Sequence, residues 1–173
     1  LDHLIDTSLT YARFEREAPE PHFSEVRFAE WLADEVDAVR LLGRDLAITV
    51  DTSRLPENLV VDLDRKAMPY ALRNLLRNAF KYARQQIVVS ASLEDGRALI
   101  NVDDDGIGIP PEDRENVFSA FTRLDRSRDR ATGGYGLGLA ITRRVLELHG
   151  GTATADAAPL GGARFTLAWQ VRQ

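Results

Sequence analysis

The chain contains no cysteine, which excludes a disulfide scaffold and any cysteine-ligated zinc or iron–sulfur centre. Basic residues are not in excess either, because 22 lysines and arginines stand against 27 aspartates and glutamates, giving a net charge of -5. This balance argues against nucleic-acid binding through a basic surface. No apolar run reaches the length of a membrane span and no signal peptide opens the chain, so we expect this fragment not to be membrane-bound.

What is present fits one ordinary globular domain with a short extension: 173 residues, of which 44% are hydrophobic and 28% charged. The chain opens at Leu1 rather than at a methionine, and residues 1–17 carry an apolar stripe at helical spacing with no partner close in sequence. We therefore expect a piece of a longer protein, in which this helix packs on an absent helix or a second chain. A charged, proline-bearing linker is predicted at residues 18–22, followed by the domain itself at 23–173.

Segments with helical and strand periodicity alternate beyond the linker. Helices are predicted at residues 28–42, 64–84 and 137–149, with Pro69 expected to break or kink the first turns of the second. Residues 111–132 form a long polar stretch, which is usually functional inside a compact domain. This order predicts an α/β two-layer sandwich, a mixed sheet covered by helices on one face. The predicted strands are residues 46–50, 60–63, 87–93, 98–102, 152–156 and 164–171.

The second helix carries the most informative feature, a pair of asparagines four residues apart, Asn74 and Asn78, with Lys81 three residues further on. Asparagine is a poor helix former because its amide competes for backbone groups. At this spacing the two amides and the ammonium share one helix face, beside an apolar stripe. Such a face suits a hydrated divalent ion and a polyphosphate. Taken alone it is explained as well by a solvated helix surface, so its meaning depends on the motifs that follow.

Three further motifs stand downstream of the asparagine helix. Asp104-Asp105-Gly106-Ile107-Gly108-Ile109-Pro110 follows a predicted strand, Val117-Phe118-Ser119-Ala120-Phe121-Thr122-Arg123 lies in the long polar stretch, and Gly133-Gly134-Tyr135-Gly136-Leu137-Gly138-Leu139 opens a helix. One glycine motif would be weak evidence, but four motifs in order are strong. They resemble the N, G1, F and G2 boxes of sensor histidine kinases, members of the Bergerat-fold (GHKL) ATPase superfamily. The resemblance covers about residues 20–170, and the runs 123–130 and 160–165 look closest to the RstB-type subgroup.

The resemblance implies an ATP site with magnesium. Asn78 is expected to coordinate Mg²⁺ through its amide oxygen, Asn74 to support the metal or the phosphates, and Lys81 and Arg123 to contact phosphate. By the same resemblance, Asn78, Lys81 and Arg123 are the expected catalytic residues. The guanidinium of Arg123 suits this role because it stabilises phosphoryl-transfer charge well. Tyr82 is expected against the base or ribose. Magnesium takes few protein ligands and keeps several waters, which agrees with so sparse a site.

In this resemblance Asp104 accepts a hydrogen bond from the adenine amino group, although an aspartate before glycine is also an ordinary turn residue. Its neighbours Asp103 and Asp105 are expected to be solvated. The glycines before the third helix offer free amides and a positive dipole end to phosphate. The residues predicted to contact ATP or ADP are Asn74, Asn78, Lys81, Tyr82, Asp104, Gly106, Gly108, Ile109, Arg123, Gly134, Tyr135, Gly136, Leu137 and Gly138.

The resemblance further implies transfer of the ATP γ-phosphate to a histidine, then to an aspartate of a response regulator. His3, His22 and His149 lack the acceptor signature of the family, so we expect the acceptor on a dimerisation hairpin absent from this chain. The partners implied are that hairpin, within a homodimer, and the response regulator, with no nucleic acid. The implied location is the cytoplasmic side of a bacterial inner-membrane sensor.

Two other functions remain possible at this stage. One is a GHKL ATPase that hydrolyses ATP to drive conformational change. In those enzymes a glutamate four residues before the metal asparagine activates water, whereas Asn74 is an amide that cannot act as a base near neutral pH. The other is a nucleotide-binding or pseudokinase module that only regulates a partner. Steady ATP turnover would favour the first, and failure to bind Mg-ATP the second.

Overall fold

The computed structural model describes residues 12, 20–41, 45–119 and 138–172. The predicted N-terminal helix and the linker up to residue 19, apart from residue 12, lie outside these ranges. The chain forms three helices in them, α1 (Phe28–Arg40), α2 (Met68–Tyr82) and α3 (Gly138–Leu148), and two 3-10 turns, Pro111–Asp113 and Asn116–Phe118. The strands are β1 (Phe23–Arg27), β2 (Ala47–Asp51), β3 (Val60–Asp64), β4 (Gln86–Glu94), β5 (Arg97–Asp104), β6 (Thr152–Ala157) and β7 (Ala163–Gln170).

Five strands make one mixed sheet in the order β2-β4-β5-β7-β6. Strands β2 and β4 run parallel, whereas β4–β5, β5–β7 and β6–β7 are antiparallel. Strands β1 and β3 pair separately as an antiparallel ribbon. The predicted α/β class with a mixed sheet is therefore confirmed. None of the helices in the described ranges is long and apolar enough to cross a bilayer.

The sheet buries one face because its strands alternate in polarity. On β4, Ile87 and Val89 are fully buried, while the intervening Val88 and Ser90 are only partly covered. Helix α2 supplies the opposing apolar surface through four leucine and alanine residues spaced three and four apart. They are Leu72, Leu75, Leu76 and Ala79, and all belong to one hydrophobic core cluster.

The start of α2 differs from the prediction. The helix begins at Met68, and Pro69 lies in its first turn, where a missing N–H costs no helical hydrogen bond. The expected break or kink at Pro69 is therefore wrong. Residues 65–67 form a turn that the Asp64 carboxylate organises, because its Oδ1 accepts the N–H groups of Lys66 (2.9 Å) and Ala67 (3.0 Å). Strand β1 was not predicted at all.

His149, just beyond α3, is buried rather than exposed. Its Nε2 accepts the backbone N–H of Asp64 (3.0 Å), so its proton lies on Nδ1, which donates to the Val145 carbonyl (2.8 Å). Phe23 and Trp169 pack edge-on against the ring. Burial lowers the pKa of His149, outweighing the raising effects of the Val145 bond and the Asp64 charge. This environment therefore favours the neutral imidazole.

The neutral state of His149 predicts a pH dependence of stability. A histidine with a lowered folded-state pKa stabilises the fold above its unfolded pKa of about 6.5 and loses that contribution as pH falls below it. We expect His149→Gln to be less stable than wild type at pH 7.5 and to flatten the loss of stability between pH 7 and 5. For one proton that slope is at most about 1.4 kcal/mol per pH unit. Urea unfolding across this range, with the exposed His22→Gln as control, measures it; an unchanged slope in His149→Gln contradicts the assignment.

Candidate nucleotide-binding site

A small cavity lies where α2, the loop after β5, the start of α3 and the start of β7 meet. Its volume is about 30 Å³, space for roughly one or two water molecules, so a planar base enters only as the lining side chains shift. Five residues predicted from the sequence line it, together with four that were not. The lining consists of Asn78, Tyr82, Asp104, Gly108, Ile109, Val117, Leu139, Ala163 and Phe165.

Asp104 provides the buried charge of this cavity and is 1% exposed. Its Oδ1 accepts backbone N–H groups from Gly106 (2.8 Å) and Ala163 (3.2 Å), and neither bond uses Oδ2. Burial raises the pKa of Asp104, as do the charges of Asp105 and Asp103 more weakly, against the two hydrogen bonds that lower it. A buried carboxylate with an oxygen that these bonds do not use is poised to accept a hydrogen bond from a ligand.

Two glycines allow the backbone to close around Asp104. A Cβ on Gly162 would lie 2.2 Å from Asp104 Oδ1 and 2.5 Å from its carbonyl oxygen. A Cβ on Gly106 would lie 2.2 Å from the carbonyl oxygen of Tyr82, at the end of α2. Gly106 was predicted from its motif, whereas Gly162 was not. Both positions exclude any side chain, so the Asp104 carboxylate is held by packing as well as by hydrogen bonds.

The polar face of α2 turns toward the start of α3. Asn74 and Asn78 are half-buried, and a Cβ on Gly138 would lie 3.6 Å from the amide carbon and oxygen of Asn74. Thr142 joins the two helices, because its hydroxyl lies 3.2 Å from the Ala71 carbonyl and 3.1 Å from that of Gly138. The N and G2 motifs therefore meet at Asn74 and Gly138. Lys81 Nζ lies 5.5 Å from the centre of the Tyr82 ring.

Both aspartates beside Asp104 have structural roles, and for Asp103 the expectation that it is solvated is wrong. Asp103 is buried and forms a two-pronged ion pair with Arg164, with both N–O distances 2.8 Å. Asp105 is more exposed, but its carboxylate accepts the backbone N–H groups of Arg84 and Gln85, between α2 and β4. The two carboxylates thus fix the strands and the helix end between which Asp104 lies.

Several predicted residues are outside the described ranges: Arg123, Gly134, Tyr135, Gly136 and Leu137. Within those ranges, no group of three or more histidine, aspartate or glutamate side chains lies close enough to hold a metal ion. A site built on acidic ligands is therefore absent from the described part of the chain, and the amide oxygens of Asn74 and Asn78 are the oxygen donors on the predicted face of α2.

The lining residues missed at the sequence level lie far from the motifs or in featureless runs. Ala163 and Phe165 begin β7, about 60 residues after Asp104. The run 160–165 indicated a subgroup of the family but no contact with the nucleotide. Val117 belongs to the F-box segment but carries no chemistry of its own. The signal that could have found Gly162 is the Gly161-Gly162 pair immediately before a strand, since such glycines mark close backbone approach.

The family model of histidine kinase-, DNA gyrase B-, and HSP90-like ATPases matches residues 63–173, so the chain belongs to this family. Its relatives are sensor histidine kinases, and it resembles their ATP-binding domains. The chain is 42% identical over 169 residues to the sensor protein RstB of Escherichia coli (strain K12); the match covers 98% of this chain and 39% of RstB. The chain thus spans about two fifths of that relative's length.

Solved structures give the same fold. Full-length ShkA, in complex with AMPPNP, superposes with a TM-score of 0.80 at 26% identity, over 99% of this chain and 36% of ShkA. The mycobacterial sensor histidine kinase MprB superposes with a TM-score of 0.72 at 28% identity, over 87% of this chain and 99% of that one. The family and the fold predicted from the motifs are confirmed.

Gly162 offers a direct test of the packed Asp104 cradle. Gly162→Ala places a methyl group 2.2 Å from Asp104 Oδ1, far closer than van der Waals contact, so the carboxylate must move. We expect ADP to bind at least about tenfold more weakly, a loss of about 1.4 kcal/mol or more, in calorimetry. The control is Gly161→Ala, where nothing lies within 4 Å but φ is +100°. That variant should lose about 1–3 kcal/mol of stability through backbone strain, with ADP affinity unchanged. Equal affinity in both variants would contradict the cradle.

Proposed function

We propose that this chain binds Mg-ATP and donates the γ-phosphate to a histidine on a dimerisation hairpin, for relay to an aspartate of a response regulator. One observation carries the proposal: the buried Asp104 and the amide face of α2 converge on one cavity. Membership of the family and the likeness to RstB support it. So does ShkA, a structural neighbour that holds the ATP analogue AMPPNP.

Adenine recognition is assigned to Asp104. Its carboxylate would accept a hydrogen bond from the exocyclic amino group, a donor that guanine does not present at the same position. The apolar lining, Ile109, Val117, Leu139 and Phe165, suits the faces of a planar base. Gly106 and Gly108 let the backbone pass close to the base, and Gly108 has a φ of +74° that glycine adopts without strain. Tyr82 would lie against the base or the ribose.

Magnesium and the phosphates are assigned to the polar face of α2. The neutral amide oxygens of Asn78 and Asn74 fit a Mg²⁺ ion that keeps most of its water, with Asn78 as the ligand. When bound, the ion supplies neutralisation of the phosphate charge. Lys81 and Arg123 would contact the transferring phosphoryl group. The segment Gly134, Tyr135, Gly136, Leu137 and Gly138 would offer backbone amides to the phosphates at the N-terminal end of α3.

The chemistry favours transfer over hydrolysis. Transfer breaks the bond from the γ-phosphorus to the oxygen shared with the β-phosphate, forms a bond from that phosphorus to an imidazole nitrogen, and releases ADP. Hydrolysis needs a base to activate water, and Asn74, which lies against Gly138, cannot act as one. His149 is no acceptor, because both its ring nitrogens are engaged inside the fold.

The remaining partners and the location are part of the proposal. Residues 1–17 would end a dimerisation helix, 18–22 would be the linker and 23–173 the ATP-binding domain. The parent would be a phosphorylated homodimer in the bacterial inner membrane, with this domain in the cytoplasm. The match covers 39% of RstB, so the homodimer and the membrane location are proposed for the whole parent protein.

A phosphotransfer assay tests the function. With radiolabelled ATP and Mg²⁺, the chain alone should label none of its histidines and should release little ADP. Addition of a separately produced dimerisation hairpin should give acid-labile label on the hairpin, since proximity of a competent acceptor supplies much of the rate. Sustained ADP release by the chain alone would favour the hydrolysing ATPase instead. Absence of Mg-ATP binding would favour the regulatory module.

Asn78 tests the metal assignment. We expect Asn78→Ala to weaken ATP binding in the presence of Mg²⁺ and to remove the difference between buffers with Mg²⁺ and with chelator. Asn101→Ala is the matched control, because this amide bonds Thr166 on the opposite face of the sheet. Isothermal calorimetry of wild type and both variants in the two buffers gives six affinities. A wild-type chain that binds ATP equally with and without Mg²⁺ would contradict the role of Asn78.

A further inference from the structure

Asp64, the last residue of β3, gathers four hydrogen bonds from separate parts of the chain. Its Oδ2 accepts the backbone N–H of His22 (3.0 Å), and its Oδ1 accepts those of Lys66 (2.9 Å) and Ala67 (3.0 Å). Its own N–H donates to His149 Nε2 (3.0 Å). Burial works to raise the pKa of Asp64, but the three accepted bonds and His149 lower it overall, so the residue is held as an anion.

The four bonds lead to three different segments of the chain. Lys66 and Ala67 lead directly into α2, which carries Asn74 and Asn78. His149 follows α3, whose first residue, Gly138, lies against Asn74. His22 precedes β1 and belongs to the segment that joins the domain to the residues before it. Asp64 therefore connects the incoming chain to both helices that line the nucleotide cavity.

Aromatic packing reinforces the connection on the side of the incoming chain. The Phe23 ring lies edge-on to His149, with 5.2 Å between ring centres. The guanidinium carbon of Arg172 lies 4.0 Å from the centre of the same Phe23 ring. Phe23 is also the register partner of Asp64 in the β1–β3 ribbon. One group of contacts around Asp64 thus joins His22 and Phe23 to Arg172 and to one end of each helix.

We propose that Asp64 is a positioning residue for the transfer reaction: it holds residues 20–22 against the nucleotide-binding helices, so that a tethered acceptor hairpin meets the γ-phosphate in a fixed orientation. This role rests on the proposed function. It differs from a purely structural cap on α2, because a cap would involve Lys66 and Ala67 and would leave His22 out. The bond from His22 to Oδ2 is what links the linker to the site.

Asp64→Asn separates the two roles, because asparagine keeps the shape but has a single acceptor oxygen. Two N–H donors, of Lys66 and Ala67, face Oδ1, and one, of His22, faces Oδ2. Asparagine satisfies more donors when its oxygen faces the helix, which sets its NH₂ against the N–H of His22. The variant should therefore keep the start of α2 and release residues 20–22. Asp62→Asn, two residues earlier on the same strand, is the matched control.

The experiment compares tethered with separate acceptors. Phosphotransfer is measured in the full-length kinase, where the hairpin is tethered, and in this chain with the hairpin added separately. Asp64→Asn should slow the tethered reaction by about tenfold or more while changing the separate reaction and ADP affinity by less than about twofold. Hydrogen exchange should show faster exchange at the His22 amide and unchanged protection in α2. Asp62→Asn should match wild type throughout.

The outcomes separate this role from the function on which it rests. Equal slowing of the tethered and separate reactions, or no slowing of the tethered one, would overturn the positioning role while leaving the proposed function intact. Unchanged exchange at His22 in Asp64→Asn would also overturn it. A wild-type protein that labels neither hairpin would overturn the proposed function, and the positioning role with it.

Discussion

The packing of α2 on the five-stranded sheet is the contact on which the rest of the site depends. Four buried side chains fix the rotation of the helix: Leu72, Leu75, Leu76 and Ala79. Turning the helix would expose them, and burial of each leucine contributes about 1.5–3 kcal/mol. With this rotation set, Asn74 faces the start of α3 and Asn78 lines the cavity. The chemistry of the site is therefore a by-product of where the hydrophobic stripe lies.

The adenine end of the site depends on a different principle, convergence of distant segments on one carboxylate. The sequence motif identifies Asp104 but not what holds it. Gly106 is local and predictable, whereas Gly162 and Ala163 reach Asp104 only because β7 pairs with β5. Register brings Asp103 opposite Arg164 in the same way, which is why a neighbour expected in solvent is instead buried in an ion pair. Pairing across a sheet is not encoded in local residue order.

Features with a local sequence signal were predicted, whereas features set by contacts between distant segments were not. The order of the predicted elements and the polar face of α2 could be inferred, because periods of 2 and 3.6 residues are local signals. Strand β1 was missed because its five residues pair with β3 alone, far along the chain. Pro69 was misjudged because the Asp64 turn, not the apolar pattern, sets where α2 begins. The burial of His149 could not be inferred locally, because the rings that bury it come from β1 and β7.

Asp104 and His149 show how the fold distinguishes a functional polar group from a structural one. Burial shifts both pKa values toward the neutral form, upward for the acid and downward for the base. The direction of the shift therefore does not separate them. Hydrogen-bond use does: both ring nitrogens of His149 have partners within the fold, whereas both bonds to Asp104 end on one oxygen beside a cavity. A buried polar group needs partners, and one that the fold satisfies only in part is left to be completed by a ligand.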